Sequence, residues 1–233
     1  MSNPKAYIFD VFGTLVDWRE SVAKQAKVVF SERGIAADPH AFADYWRGRY
    51  QPGMERIRSG NRGYVALDVL HLENLTETLE HFDIADQFDD AARHEMNTMW
   101  EKLDPWPDVV EGLAALKKRD IIAPCSNGSI ALMTRLAKYA GLPWDCILGA
   151  DIAQNYKPQT EVYHACCNAL RLEPGDVMMV AAHNDDLEAA RACGLQTGFT
   201  PRVSEYGPYQ SKDFEPTSDW DWIGEKLMAL ADK

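Results

Sequence analysis

Hydrophobic positions follow two different patterns along the chain. Between Trp18 and about Trp100, apolar residues recur at helical spacing, and glycines and prolines separate successive segments. From Pro105 onward, short apolar runs alternate with amphipathic stretches, which is typical of strand and helix units in a parallel sheet. Another short apolar run, Ala6–Phe9, precedes the helical region. The pattern therefore predicts an α/β protein with an all-helical segment inserted after its first strand.

The periodicity also gives approximate bounds for these elements. The insert is predicted to contain helices at 21–33, 38–58, 64–82 and 85–101. The remainder is predicted to contain strands at 120–125, 146–149, 177–181 and 196–200, with helices at 130–140, 160–170, 186–193 and 219–231. Right-handed crossovers place all strand ends of such a doubly wound sheet on one edge. We expect a sheet core of residues 1–16 and 102–233 and a helical cap of residues 17–101.

Composition narrows the class of protein. The 233 residues carry a net charge of −12, which argues against nucleic acid as a partner, so an anionic ligand would need a locally basic pocket. No apolar run approaches the ~18 residues of a membrane span, and the first residues lack the apolar stretch of a signal peptide. We therefore expect a cytoplasmic protein without a membrane partner. The five cysteines show no C-x-x-C spacing, which favours buried free thiols over disulfides or metal ligands.

The first strand ends on a carboxylate, Asp10, which is followed by Val11 and Phe12. Open α/β sheets bind ligands at the carboxyl ends of their strands, so this position favours a chemical role for Asp10. Gly13 permits a tight turn, and the turn amides together with the Thr14 hydroxyl can hold the carboxylate or a bound anion. The alternative on this segment alone is an Asp10 that only caps the turn.

Three further segments place polar groups beside strand ends. Ser126 and Asn127 follow a predicted strand and precede a helix, whose first amides can bind an anion. Lys157 lies in a loop before a helix and can neutralise or orient a carboxylate. A fourth strand ends in a run of titratable and amide groups, His183, Asn184, Asp185 and Asp186. Any one of these could be a helix cap or a surface group, but four polar strand ends in one sheet predict one site.

These motifs resemble those of the haloacid dehalogenase superfamily in order and spacing, over essentially the whole chain. The resemblance is carried by Asp10-x-x-Gly-Thr14, Ser126-Asn-Gly, Lys157-Pro and the segment 182–186. The Phe-Asp-x-Phe-Gly-Thr-Leu start, the helical insert and the stretch from Tyr156 to Tyr163 are most similar to type II (S)-2-haloacid dehalogenases. The resemblance implies a Rossmann-like core that carries the nucleophile and a four-helix cap that closes over it.

Two departures separate the chain from the phosphatases of this superfamily. Phosphatases need an acid two residues after the nucleophile, where this chain has Phe12, and a Mg²⁺ ligand where it has Ala182. Displacement of a halide needs neither, so the resemblance implies no cofactor and no metal. Two alternatives stay open: a phosphatase in which Asp185 and Asp186 rescue Mg²⁺ binding, and a non-catalytic binding protein of the same fold.

The resemblance implies a two-step reaction on short 2-haloalkanoic acids, which include L-2-haloacids, haloacetates and fluoroacetate. Asp10 displaces the halide at C2 with inversion, and water hydrolyses the resulting aspartyl ester. Lys157 matches the lysine that keeps the nucleophile ionised, and Thr14 helps to hold the carboxyl groups. The residues expected to contact substrate or halide are Arg47, Ser126, Asn127, Val11, Phe12, Asn184 and Trp46. The implied partners are the haloacid, halide and water, and dimers are common in the family.

The water-activating group is where the chain departs from the usual type II pattern. That pattern has serine and asparagine where this chain has Ala181 and His183, while Asp186 matches an aspartate that helps to activate water. An imidazole with a pKa near neutrality can accept the proton of the water. Our hypothesis is that His183 and Asp186 together position and deprotonate it; the alternative is a structural histidine. Glu205 and the residues after it could border the pocket but receive no role.

Overall fold

The computed structural model describes residues 3–232, and its centre is a parallel sheet. The strands in chain order are β1 (Ala6–Phe9), β2 (Val16–Asp17), β3 (Asp104–Pro105), β4 (Ile121–Ser126), β5 (Leu148–Gly149), β6 (Val177–Ala181), β7 (Gln196–Phe199) and β8 (Trp222–Ile223). In the described residues, the main sheet has six parallel strands in the order β5-β4-β1-β6-β7-β8. The chain adds strands first on one side of β1 and then on the other, so the strand order reverses at β1. Ligands bind at such reversal points in open α/β sheets.

Helices cover this sheet and form the cap. The cap contains α1 (Trp18–Arg33), α2 (Pro39–Gly48), α3 (Tyr50–Arg58), α4 (Leu67–His81) and α5 (Asp90–Asn97). The core contains α6 (Val109–Leu116), α7 (Ile130–Ala140), α8 (Ala150–Ala153), α9 (Thr160–Leu170), α10 (Asn184–Ala192) and α11 (Leu227–Ala231). The predicted α/β class, a Rossmann-like doubly wound core with a helical cap, is confirmed. Within residues 3–232, no helix combines the length and apolar character needed to cross a bilayer.

The two central strands are completely buried. Every residue of β1 and β6 is inaccessible or nearly so, as expected for parallel strands with helices on both faces. β1 pairs with β4 on one side and β6 on the other, which fixes where Asp10 emerges. The five cysteines are free thiols, as predicted, and only Cys146 is partly exposed.

A short antiparallel pair connects the cap to the core. Val16 pairs with Pro105, and Asp17 pairs with Asp104, so the chain leaves and re-enters the core at one place. Asp17 also begins α1, because its side chain accepts a hydrogen bond from the Glu20 amide at 3.0 Å. The domain boundaries expected at 16/17 and 101/102 lie beside this pair and stay a prediction.

Three predicted helices differ from the structure. The segment 85–101 is an α-helix only at Asp90–Asn97, between two short 3-10 helices. The segment 38–58 forms α2 and α3, with a break at Arg49, instead of one helix. Pro52 explains the break, because a continuous helix would need an amide hydrogen at Pro52 to bond the Gly48 carbonyl, and proline has none. The cap consequently has five α-helices in residues 17–101, where the resemblance implied four.

The predicted helix at 219–231 is also wrong in its first half. Trp222 and Ile223 form β8, which pairs with Gly198 and Phe199 at the edge of the sheet, and the helix begins only at Leu227. An exposed sheet edge offers unpaired backbone groups, and their pairing overrides the local helical pattern.

Candidate active site

Asp10 lies at the end of β1 with both carboxylate oxygens bonded. Its Oδ1 accepts a hydrogen bond from Lys157 Nζ at 2.9 Å, and its Oδ2 accepts one from Thr14 Oγ1 at 2.6 Å. His183 Nδ1 lies 3.1 Å from the same Oδ2. Thr14 is itself fixed, because its hydroxyl accepts a hydrogen bond from the Ala182 amide at 2.9 Å. The turn after β1 therefore holds the Asp10 carboxylate in one orientation.

The surroundings keep Asp10 ionised. Burial alone raises the pKa of its carboxyl, but the charge of Lys157, the charge and hydrogen bond of His183, and the Thr14 hydroxyl outweigh burial and lower that pKa well below its usual range. Burial lowers the pKa of Lys157, but Asp10 and Asp186 outweigh it and raise the pKa well above its ordinary value. The site thus contains a carboxylate and an ammonium group at neutral pH.

Lys157 bridges two carboxylates. Besides Asp10, its Nζ donates to Asp186 Oδ2, and the other oxygen of Asp186 accepts from the Tyr163 hydroxyl. Burial, together with the neighbouring charge of Asp10, raises the pKa of Asp186 above its usual value. Asn127 holds the lysine from the other side, since its Oδ1 accepts the Lys157 amide hydrogen at 2.8 Å.

His183 has different partners from those expected. The sequence suggested a pair with Asp186, but its ring contacts Asp10 through Nδ1 and Glu205 through Nε2, the latter at 2.7 Å. An ionised carboxylate only accepts hydrogen bonds, and an imidazolium, which carries hydrogen on both ring nitrogens, satisfies both contacts. Burial lowers the pKa of His183, but Glu205 and Asp10 outweigh it and raise the pKa well above its ordinary value. The pKa is thus raised from the near-neutral value expected from the sequence, which favours the imidazolium form in the resting site.

Glu205 is the residue that sequence reasoning missed. It is 1% exposed and lies in the loop after β7, where Trp18 Nε1 donates to its Oε1 at 3.0 Å. Gly13, at φ +87°, faces it so closely that a Cβ at that position would overlap the carboxylate. The sequence around Glu205 gave little indication of a role, since it shows only an acid followed by Tyr206 and a glycine. The partners of Glu205 are 22 and 187 residues away in the chain.

These groups face a cavity of about 570 Å³ between cap and core. Its charged lining residues are four acids and four bases, Asp10, Glu55, Asp185, Asp186, Arg47, Arg58, Lys157 and Lys212. The protonated His183 adds one positive charge to this lining. Acids and bases in the lining are thus equal in number without His183, whereas the chain as a whole has a net charge of −12. The expected basic pocket stays a prediction.

Arg47 differs from the other arginines of the cap. Its guanidinium lies in the cavity over the ring of Tyr50, 4.0 Å from the centroid, and over Trp18 at 5.4 Å. Its Nη1 is buried and has no hydrogen-bond partner within residues 3–232. The neighbouring Arg49, Arg56, Arg58 and Arg62 each lie within 4.0 Å of a glutamate carboxylate, although Nε of Arg49 is also buried without a hydrogen-bond partner in the described residues. The buried Nη1 of Arg47 can donate a hydrogen bond to an anion in the cavity.

Phe12 lines the cavity beside the nucleophile. Its ring makes edge contacts with Tyr50 and Trp100, with centroids 6.4 Å and 5.9 Å apart. The position two residues after Asp10 therefore belongs to an aromatic wall of the cap. No proton donor is available there for a leaving group.

Three residues expected to contact substrate lie outside the cavity lining. Trp46 packs in the cap, where its Nε1 donates to the His71 carbonyl at 2.9 Å. Val11 is fully buried, and the Ser126 hydroxyl accepts the Gly128 amide hydrogen at 3.0 Å. The three side chains thus do not line the cavity, and their contact with substrate stays a prediction.

Asn184 also faces away from the cavity. Its Nδ2 donates to Asp213 Oδ1 at 2.9 Å, and its Oδ1 accepts from the Thr217 amide and Trp220 Nε1. The amide is therefore occupied by the loop before β8. We correct its expected substrate contact to a structural role in that loop.

One of the positions at which phosphatases hold Mg²⁺ lacks a carboxylate in this chain. Ala182 has no side-chain oxygen there, and its backbone amide is bonded to Thr14. Asp185 Oδ2 accepts from Lys212 Nζ at 3.0 Å. Among residues 3–232, no group of three His, Cys, Asp or Glu side chains is arranged to hold a metal ion.

An ionised aspartate on the first strand, a bridging lysine and a closing helical cap define a capped α/β hydrolase. The chain belongs to the haloacid dehalogenase-like hydrolases, since the family model of that description matches residues 4–194.

Individual relatives agree with this assignment. A solved defluorinating L-2-haloacid dehalogenase is 45% identical, with a TM-score of 0.97, covering 99% of this chain and 94% of that one. A second solved L-2-haloacid dehalogenase is 43% identical, with a TM-score of 0.95, covering 99% and 98%. The (S)-2-haloacid dehalogenase 4A of Burkholderia cepacia is 28% identical over 215 residues, 91% of this chain and 88% of the relative.

Proposed function

We propose that the protein is a hydrolytic dehalogenase of short 2-haloalkanoic acids, with Asp10 as the nucleophile. The observation that carries this proposal is the Asp10 carboxylate, ionised, oriented by Lys157 and Thr14, and open to a cavity that also contains Arg47. One oxygen attacks C2 of the haloacid, the carbon–halogen bond breaks with inversion, and an aspartyl ester remains. The similarity to dehalogenases that act on L-2-haloacids, one of them defluorinating, supports L-2-haloacids and haloacetates, including fluoroacetate, as substrates.

Arg47 is proposed to receive the departing halide. A leaving anion gains negative charge as the bond breaks, so a cation placed in a buried site lowers the barrier. The guanidinium lies over the rings of Tyr50 and Trp18, and Phe12 lines the same cavity; we propose that these rings limit the access of water to the halide. Asn127, which lines the same cavity, is proposed as a second contact.

We expect the change of Arg47 to glutamine to lower kcat/KM for chloroacetate about 10²- to 10³-fold. The loss should be larger for fluoroacetate, because fluoride is the poorer leaving group and depends more on the cation. The measurement is initial-rate halide release, by ion chromatography, on both acids. Arg62→Gln is the matched control, since Arg62 is paired with Glu73 at 2.7 Å on the cap surface. Equal effects of the two changes would contradict the assignment.

The second step is proposed to be hydrolysis of the ester by a water that His183 deprotonates. Its Nδ1 lies 3.1 Å from Asp10 Oδ2, within reach of a water that attacks the Asp10 carboxyl carbon. Esterification removes the negative charge of Asp10, one of the two charges that keep His183 protonated. Asp186 is proposed to act through Lys157, which it holds against the Asp10 carboxyl.

The proposed function is tested by incubating the protein with chloroacetate, fluoroacetate and L-2-chloropropionate, with and without EDTA. We expect halide release from these acids at rates that EDTA does not change, and an inverted hydroxy acid from chloropropionate. Halide and product configuration are measured by ion chromatography and chiral chromatography. Phosphate release from sugar phosphates that EDTA abolishes would favour the magnesium-dependent phosphatase instead.

A further inference from the structure

Glu205 occupies a site that is shaped for a carboxylate. Both of its oxygens are engaged, Oε1 by Trp18 Nε1 at 3.0 Å and Oε2 by His183 Nε2 at 2.7 Å. Gly13 supplies the remaining space, since any Cβ there would collide with the carboxylate. A buried charge is costly unless it is paired, and the partner that neutralises Glu205 is the His183 imidazolium.

The groups around His183 determine which nitrogen can act as a base. Asp10 faces Nδ1 and Glu205 faces Nε2, and Asp185 and Tyr206 are the other titratable groups whose charges interact with the ring. Asp10 is consumed when the ester forms, whereas the Glu205 carboxyl takes no part in that bond and stays beside Nε2. The hydrogen on Nε2 therefore stays bonded to Glu205, and Nδ1 is the nitrogen that can lose and regain a proton.

We propose that Glu205 is a positioning residue that holds His183 by Nε2, so that Nδ1 faces the aspartyl ester and accepts the proton of the hydrolytic water. This proposal rests on the proposed dehalogenase function. It differs from that function in naming the group that orients the base and the proton that moves. The arrangement is the acid–histidine geometry by which an aspartate fixes the tautomer of a catalytic histidine in serine hydrolases.

Each turnover releases one proton to solvent and uses both hydrogens of one water. Asp10 attacks, and halide leaves. The Nδ1 proton of His183 then passes to solvent through the cavity. This proton is the one that the overall hydrolysis releases. Water adds to the Asp10 carboxyl carbon and gives one hydrogen to Nδ1. The bond between that carbon and the ester oxygen breaks, and the other hydrogen goes to the hydroxy acid. Asp10 returns as a carboxylate, and His183 returns as an imidazolium.

Trp18 makes this arrangement rigid. It begins α1 of the cap, while Glu205 belongs to a core loop, so their hydrogen bond joins cap and core beside the base. With Oε1 held by Trp18, the carboxylate cannot rotate away from His183. Base orientation therefore depends on contact between cap and core.

The test compares Glu205→Gln with the wild-type protein in single-turnover experiments on chloroacetate across a pH series. Halide release follows ester formation, and intact protein mass follows the carboxymethyl ester. We expect ester formation within a few-fold of wild type and ester hydrolysis roughly 100-fold slower, so that ester accumulates. The pH midpoint of hydrolysis should move to lower pH, because the carboxylate that raises the pKa of His183 is gone. Glu205→Asp should restore that midpoint.

Controls separate positioning from structure and from the function itself. Glu215→Gln removes an exposed acid from the same region of the chain and should change neither step. Equal slowing of both steps by Glu205→Gln, with an unmoved midpoint, would overturn the proposal, as would a His183→Asn variant that hydrolyses ester at the wild-type rate. If Glu205→Gln fails to fold, Trp18→Phe replaces the indole by a smaller aromatic ring, removes the N–H that bonds Glu205, and should move hydrolysis in the same direction. Absence of ester and halide with the wild-type protein would instead reject the dehalogenase function.

Discussion

Replacing Asp10 with asparagine is expected to reduce halide release from chloroacetate by a factor on the order of 10⁴ or more. The carboxamide is neutral and a far weaker nucleophile, and no other carboxylate has the same setting at the end of β1. The fold should survive, because Lys157 keeps Asp186 as a partner and His183 keeps Glu205. Ion chromatography gives the rate, and intact mass shows whether any ester forms.

Asp176→Asn is the matched control for this substitution. Asp176 is paired with Lys5 at 2.7 Å on the surface, and its replacement should leave halide release unchanged. An Asp10→Asn protein that still forms a carboxymethyl ester would mean that another residue is the nucleophile. A wild-type protein and an Asp10→Asn variant that are equally inactive on every haloacid would support the non-catalytic alternative.

The second large effect is expected for Lys157→Met. One ammonium group neutralises both Asp10 and Asp186, so its removal leaves two buried carboxylates side by side and raises the pKa of the nucleophile. We expect kcat/KM at neutral pH to fall roughly 10³-fold and then to increase with pH, because more of Asp10 becomes ionised. Breaking a buried pair should also lower the free energy of unfolding by about 3–5 kcal/mol at neutral pH.

The difference in unfolding free energy between the wild type and Lys157→Met should depend on pH. In the wild type, the pKa of Asp10 is lowered on folding, so its stabilisation is present above the unfolded pKa and is lost as pH falls through the folded one. In Lys157→Met the folded pKa is raised, so the variant is relatively more stable in acid and loses stability as pH rises. Denaturation curves of the two proteins should therefore converge toward low pH. A constant difference in unfolding free energy across pH would contradict this account.

Lys117→Met is the control for Lys157→Met. Lys117 pairs with Asp145 at 2.7 Å, but their side chains are 38% and 35% exposed. Neither residue lines the cavity. Exposed pairs contribute about 0–1 kcal/mol, so we expect little change in stability and none in activity.

Elements with strong local signals could be predicted from the sequence. Helix α7 was predicted with its observed bounds because Ser129 caps its beginning and Gly141, at φ +71°, ends it. The long apolar run of β6 was predicted in the same way. The break at Arg49 was missed although Pro52, which explains it, is visible in the sequence. Strand β8 was missed because periodicity does not record its backbone pairing with β7.

The site residues also divide into those that the sequence could predict and those that it could not. Asp10, Lys157 and His183 were found because carboxyl ends of parallel strands meet at one edge of the sheet, and the structure does bring the three together. Which acid pairs with the histidine was predicted wrongly. Asp186 is three residues away in sequence, but Lys157 and Tyr163 occupy it, and Glu205 takes its place.

The sequence by itself determined the class of fold, the nucleophile candidate and the loss of the phosphatase groups at Phe12 and Ala182. These three conclusions follow from the types of residue and their order along the chain. Both can be read from a single sequence. Only the tertiary structure decided that the Arg47 guanidinium lies in the cavity with a buried Nη1 that has no hydrogen-bond partner in the described residues, and that Glu205 contacts His183. Hydrogen bonds and burial depend on which side chains are close in space. Trp18 and Glu205 are 187 residues apart in the chain, so no local sequence pattern indicates their contact.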